Sequence, residues 1–381
     1  MALDFRFARS GEYPRISMFL HEFWAQNHVY CRMSDLFDWT FQRPGFSAPD
    51  EYTFALAEDG GELAGILGGI PFQFNHFGRQ SNGMWIVNYV IRPDHRRGSA
   101  ALQLLSQFRK PEFNPVIAFG INPATSAIYR VLRGQVLDEI PRHFLVLPEA
   151  SERMSALLRA TYPDWTPDRA DGMADAFALR RDPGRAAGIA PEAGALIPRS
   201  WDQCEWPAIA ERTIGAVRDT SYLVWRYRKH PIFEYRFLTV ADGSRTGLAV
   251  WRLETIRQQT PQGRVDIDRI GRLVEFLPAS AANAEALFAA FVGALRQAGA
   301  LGADYYGYHG QTRCGFRQLG FAEAGIHPDG RAIPSRFQPL DGKGGGILSA
   351  MFLQSEVPSC ADGPECPWYW TKSDSDQDRP N

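Results

Sequence analysis

A chain of 381 residues is longer than one ordinary core requires and reads as two domains with a tail; its 45% hydrophobic content supplies two packed cores. A net charge of −2 excludes nucleic acid as the main partner, because phosphate binding draws on a basic surface. No apolar run approaches a membrane span and the beginning MALDFRFARSGEY is charged where a signal peptide needs its apolar stretch; with five cysteines scattered as reduced thiols (Cys31, Cys204, Cys314, Cys360, Cys366), the expectation is a cytoplasmic globular protein.

In chain order, RFARSGEYPRISMFLHEFW is an amphipathic start, followed by AQNHVYCR with His28 and by LFDWTFQRP with Trp39. EYTFALAEDGGELAGILGG then reads as strand, Asp59-Gly60 turn and strand. The β-branched run MWIVNYVIRP is a strand ended by Pro93, and Asp94-His95-Arg96-Arg97-Gly98-Ser99-Ala100-Ala101 opens the amphipathic run ALQLLSQF. A helix start that is basic and built of small residues leaves its first backbone N–H groups free, which makes it an anion site. A second strand, PVIAFGINP, leads to a helix, ATSAIYRVLRG, that carries Tyr129.

Residues 149–199 begin with the helix EASERMSALLRATY and then take on the Pro, Gly, Ala, Asp and Arg composition of a linker. Beyond it the chain repeats itself. LFDWTFQRP has a counterpart in YLVWRYRKHP, which pairs Trp39 with Trp225 and Phe41 with Tyr227. EYTFALAEDGGELAGILGG has one in EYRFLTVADGSRTGLAVWR, with turns at Asp59-Gly60 and Asp242-Gly243, and AIYRVLRG parallels CGFRQLGF. Two halves in the same order imply a duplicated α/β unit, over residues 1–148 and 200–355. The second copy is degenerate. Its strand GRLVEFLP runs into ASAANAEALFAAFVGALRQ, whose start has neither arginine nor glycine, and Phe316 stands at the position matching Tyr129. After the loop DGKGGG and the strand ILSAMFLQ, a tail over residues 356–381 carries Trp368, Tyr369 and Trp370 ahead of Lys372, Asp374, Asp376, Asp378 and Arg379. Polar ends are solvated by default, but aromatics at that density pack against something, so the tail is expected to fold back over the cleft between the halves.

The strand ending V-x-P, the turn R-x-x-G-x-A, the following strand with Asn122 and the helix with Tyr129 together resemble the GNAT superfamily of acyl-CoA N-acyltransferases. Ser99 stands where that family usually has its first glycine and Ala101 at its second. The resemblance implies a mixed α/β sheet and acyl-CoA as co-substrate. Its pyrophosphate would be held by Arg96, Arg97, Gly98, Ser99, Ala100 and Ala101, with Asn122 alongside, and an amide near Val90 or Ile91 would face the oxyanion. Tyr129 would serve the leaving thiolate as general acid. The strand WIVNYVIRP carries no Asp or Glu, so His28 is the first candidate for the base, in a region that frames the acceptor in this family. No fourth ligand joins His21, His28 and Cys31, so no metal site is expected. The paired W-x-[FY] segments and the polar ending are similar to tandem GNAT proteins of bacterial surface-polysaccharide synthesis, which implies a nucleotide-linked amino sugar as acceptor. Trp39, Arg226, Trp370, Lys372 and Arg379 would supply its stacking surface and cations. Two rivals differ in class: a Fem-type aminoacyl transferase fed by charged tRNA, and a non-catalytic ligand-binding module on the same fold.

Overall fold

The computed structural model describes residues 3–43, 45–181, 183, 197–308, 310–325, 331–342, 347–353 and 366–380. The first half runs β1 (Asp4–Arg9), α1 (Tyr13–Phe23), α2 (Ser34–Phe41), β2 (Glu51–Asp59), β3 (Glu62–His76) and β4 (Arg79–Ile91). It continues through α3 (Ala100–Ser106), β5 (Val116–Ile121), α4 (Pro123–Val131), β6 (Gln135–Ile140) and β7 (Arg142–Val146). Gly60 and Gly61 take the positive φ values of 58° and 91° that a tight hairpin turn between β2 and β3 demands. β4 lies antiparallel to β3 along its whole length. It lies parallel to β5 only where Met84, Trp85 and Ile86 meet Val116, Ile117 and Ala118. Just past that ladder the β3–β4 register shifts and Asn88 sits at φ 51°, a bulge that turns β4 away from β5.

Between the halves, α5 (Ser151–Thr161) is the expected helix, and α6 (Pro167–Ala176) is a second helix where the composition reads as linker. Thr166 caps α6 by accepting from the Arg169 N–H, and Ala170 and Ala174 bury one face against a core that includes Met154 and Leu158 of α5. The second half comprises α7 (Trp206–Ala210), β8 (Ile214–Ala216), α8 (Thr220–Leu223), β9 (Arg236–Asp242), β10 (Arg245–Thr260), β11 (Gly263–Leu277) and α9 (Ala281–Gln297). Then come β12 (Gly302–Tyr308), α10 (Gly310–Leu319), β13 (Ala322–Glu323), β14 (Arg336–Phe337), β15 (Leu340–Asp341), β16 (Ile347–Phe352) and β17 (Trp368–Thr371). DGKGGG falls largely outside the described residues.

Apart from the β14–β15 pair, the strands of both halves form one mixed sheet, and the boundaries drawn at 148 and 355 cut across it. β7, from the first half, pairs with β12 and β13, held there by a buried ion pair from Arg142 to Asp304 at 3.1 Å. β16, from the second, inserts between β5 and β6. The tail is a strand of the sheet rather than a cover: β17 runs parallel to β8 and antiparallel to β12. Its rings Trp368, Tyr369 and Trp370 are all buried.

Three cores follow from this arrangement. One lies on the α1–α2 face of the first half and continues into Trp201, Tyr227 and the rings of β17. A second packs α3 and α4 against the opposite face through Leu104, Phe108, Tyr129 and Phe352. The third belongs to the second half. Among the described residues no helix is long and apolar enough to cross a membrane. Cys366 is disulfide-bonded, which corrects the expectation of reduced thiols throughout.

Candidate active site

Arg96, Arg97, Gly98 and Ser99 form an exposed turn at the end of β4. The first backbone bond of α3 runs from the Gln103 N–H to the Ser99 C=O, so the amides of Ser99 to Leu102 are unclaimed by the helix, while the Arg96 and Gly98 N–H groups already donate to the Pro93 and His95 C=O. The Ser99 side chain makes no cap and instead accepts from the Gln103 amide at 2.6 Å. Arg96 folds back to donate from Nε to the Ile91 C=O at 3.0 Å, which fixes the turn against β4. A side chain at Gly98 would meet only the His95 C=O, at 3.6 Å, so this glycine answers to no internal crowding.

Two phenols pack in the core between β4 and the α3–α4 layer. Tyr89 donates to the Ala101 C=O, joining β4 to α3. Tyr129 of α4 packs in the same core, and burial pushes its hydroxyl up to about 12, so it holds its proton at neutral pH. Asn122 caps α4 by accepting from the Thr125 N–H at 2.9 Å, so the expected CoA contact is engaged as a helix cap. Val90 is buried and Ile91 half-buried beyond the bulge.

On the opposite face a narrow crevice is lined by Tyr30, Trp39, Thr40, Ile70, Trp225, Arg226, His230, Ser375, Asp376, Asp378 and Arg379 among others. Trp39 and Trp225, the pair found by comparing the halves, stack with ring centres 4.9 Å apart. Arg226 is buried and donates from Nε to the Ser373 C=O at 2.7 Å. The tail reaches the crevice because its aspartates are claimed by buried arginines: Asp374 by Arg218 at 2.8 Å and Asp378 by Arg252 at 2.7 Å. From the same turn Gln377 donates to the Phe119 C=O of β5 at 3.4 Å, just past the point where β5 leaves β4.

The structure thus brings Trp39, Arg226 and Arg379 together, and three other expectations are corrected. Trp370 is 1% exposed, enclosed by Phe72, Phe74, Phe119 and Trp368, and has no face for a ligand. Lys372 turns the other way, over the Tyr306 ring and toward Arg272, Asp304 and Glu254; burial pulls its ammonium down to about 8. His28 accepts the Tyr30 N–H on Nδ1 at 3.3 Å, and burial holds the ring down to about 4. A neutral ring accepting on Nδ1 carries its hydrogen on Nε2, so His28 offers a donor and not a general base. His230 and Ser375, which the sequence reading passed over, line the crevice instead; His230 stood in the YLVWRYRKHP segment already aligned with the first half.

The matching place in the second half is filled. β11 pairs with β12 through Gly271 to Leu273, and β17 follows at Gly307 and Tyr308. The Gly307 N–H donates to Pro141 on the β7 edge while the C=O of the same peptide accepts from the Lys372 N–H. The two groups of a peptide point in opposite directions, so β17 lies on the edge that β11 occupies. Tyr369 bridges to β11, donating to Glu275 at 2.6 Å and accepting from the Phe276 N–H at 3.2 Å. The start of α9 is closed too: Ser280 accepts from the Asn283 N–H and Asn283 from the Ala279 N–H.

Residues 15–110 match the model of the Acetyltransferase (GNAT) family, a span that includes the arginine turn and ends before Asn122 and Tyr129. No curated protein matches the chain by sequence. Among solved structures, the chain is similar in fold to a GCN5-related N-acetyltransferase from Anabaena variabilis, with a TM-score of 0.50 and 12% identity over 80% of this chain; it spans 65% of that protein's length. A GCN5-related N-acetyltransferase from Kribbella flavida gives 0.52 and 15%, covering 92% of this chain and 71% of that one. N-myristoyltransferase from Saccharomyces cerevisiae, solved with myristoyl-CoA, gives 0.52 and 12%, covering 92% and 82%. At these identities the likeness is one of fold.

Proposed function

We propose that the protein is an acyl-CoA-dependent N-acyltransferase that seats its thioester where β4 and β5 part and transfers the acyl group directly to a primary amine. The observation that carries this reading is the coincidence of three features at one place. The strands separate at the Asn88 bulge, the exposed Arg96–Ser99 turn stands at the end of β4, and both lie within the segment that matches the family model. The amides at the start of α3, from Ser99 on, and Arg97 suit a diphosphate. The amine lone pair attacks the thioester carbonyl carbon, a C–N bond forms, the C–S bond breaks and its electrons stay on sulfur. Tyr129, protonated at neutral pH, supplies the thiolate with a proton, and the amine releases one to solvent. The second half reads as a degenerate copy that carries the acceptor side.

A nucleotide-linked amino sugar is one acceptor of this class. With Trp370 and Lys372 turned inward, it draws support from Trp39, Arg226 and Arg379 alone. The Fem-type reading gains nothing from the geometry. The test is release of free CoA from acetyl- and longer acyl-CoAs, with and without a panel of primary amines, and the amide identified by mass spectrometry. Amine-dependent release supports the proposal; none with any pair tested would return the fold to ligand binding.

A further inference from the structure

The crevice beneath the Trp39–Trp225 stack is unbalanced in its hydrogen bonding. Its acceptors are satisfied: Asp376 takes Arg379 at 2.6 Å and Gln377 at 2.9 Å, and Asp378 takes Arg252 at 2.7 Å and the Tyr235 hydroxyl at 2.6 Å. Its donors are not. Arg226 Nη2, His230 Nε2, Ser375 Oγ and the indole nitrogens of Trp39 and Trp225 are buried without a hydrogen-bond partner. Arg226 and Ser375 are each 3% exposed and His230 is 9% exposed. His230 accepts the Ile232 and Phe233 N–H groups on Nδ1, at 3.1 and 2.9 Å, so its neutral ring carries its hydrogen on Nε2 as a donor. Arg226 has no carboxylate within ion-pair distance among the described residues. A further cation, Arg43, lies 3.5 Å over the Trp225 ring and, among the described residues, donates to the Pro71 C=O.

Buried donors left unpaired are costly, and five around one crevice call for a ligand that accepts. A buried guanidinium that has Asp378 near it but no carboxylate in direct contact favours a ligand that is an anion. The crevice is closed to about 10 Å³, the room of one water molecule. Any anion must therefore part the walls to enter, and a planar carboxylate demands less opening than a phosphate or diphosphate. We propose that this crevice holds a carboxylate carried by the amine acceptor, so that the substrates are amino acids or other amino-carboxylates. The inference rests on the acyl-transfer reading for the amine, and on the crevice alone for the carboxylate. The turn from Ser375 to Arg379 lines the crevice and also sets Gln377 on β5, so this one turn links the crevice to the edge where β5 leaves β4.

The test compares glycine, β-alanine and the common L-amino acids with their carboxamides, and with glucosamine and a UDP-linked amino sugar, at saturating acetyl-CoA. Carboxylates should be preferred over carboxamides by at least about 100-fold in kcat/KM, less than the roughly 10⁴–10⁵-fold by which a site built to hydrogen-bond a group rejects an analogue lacking it, because a carboxamide keeps one accepting oxygen. Arg226→Met should bring that ratio to within about tenfold of unity. His230→Asn, whose side-chain oxygen can still accept the two backbone N–H groups, should reduce it as well, with retained acyl-CoA binding as the check on folding. Equal or better turnover of carboxamides or amino sugars, or an unchanged preference in both variants, overturns the assignment. Indole fluorescence titration with the same amino acids separates the two readings. Binding with no turnover keeps the carboxylate site and overturns acyl transfer, whereas turnover of other amines with no amino-acid binding does the reverse.

Discussion

Two places in this molecule share an arrangement of strands and meet opposite fates. In the first half, β4 and β5 run together for three residue pairs and separate; among the described residues no strand takes the space beyond. In the second half, β11 and β12 also run together for three pairs, and there β17 enters the gap, with Tyr369 tied to Glu275 and Phe276. The helix that follows the first pair begins with an exposed arginine turn, and the helix that follows the second begins with a cap closed by Ser280 and Asn283. A parted pair of strands leaves backbone groups that something must satisfy. A strand does so in the second half, which makes it a structural joint; in the proposed reading a ligand does so in the first.

The comparison breaks most visibly if the joint is removed. Ending the chain at Pro367 deletes β17 and the aspartates that pair with Arg218 and Arg252, so each buried cation is left with one carboxylate, Glu275 or Glu254, and three buried rings are lost. The expected outcome is loss of cooperative unfolding by calorimetry, and not a folded enzyme with a weakened acceptor site. The milder Trp370→Ala should cost roughly 3–5 kcal/mol in denaturant unfolding, the usual loss for a buried indole. A value below ~1 kcal/mol would mean that the tail is dispensable to the sheet.

On the other side of the comparison, Tyr129→Phe should lower kcat by roughly 10²–10⁴-fold with acyl-CoA affinity nearly unchanged, the range a general acid contributes. Steady-state release of free CoA measures it. A smaller loss would leave Tyr129 as a packing residue, its counterpart Phe316 serving the second half in that way.

The smallest effect sharpens the crevice that joins the halves. Burial holds His28 down to about 4 and His230 down to about 3, against an ordinary value of 6.5. Between that ordinary value and the depressed ones the unfolded chain binds more protons than the folded one. Their contribution to stability is therefore full above pH 6.5 and is lost as pH falls through about 4 and then about 3. His230→Asn should flatten the fall in urea midpoint between pH 7 and pH 5, while an unchanged slope would show that the ring is not held neutral in the fold.

The order of elements and the arginine turn were legible because they are local: alternation marks strands, Pro93 ends one, and small basic residues open a helix. The stacked Trp39 and Trp225 were legible as a pair because duplication aligned them. The tail was not. Asp374 and Asp378 read as a solvated end until Arg218 and Arg252, distant in sequence, are placed beside them. Nor could apolar strands such as β7 and β16 announce which edge they would join, since either edge accepts their pattern. The same distance effect reversed Lys372, whose charge suggested a ligand and whose surroundings are a buried ionic cluster.

The central claim is that one of the two gaps takes acyl-CoA and the other cannot. Calorimetric titration of the full chain with acetyl-CoA, beside Gly98→Glu, tests it most directly. The variant adds bulk and like charge where only the His95 C=O is near, at 3.6 Å, so the fold tolerates it and the diphosphate does not. The account predicts one acetyl-CoA per chain in the native protein and none in a folded Gly98→Glu. Two per chain, or full affinity in the variant, would contradict it.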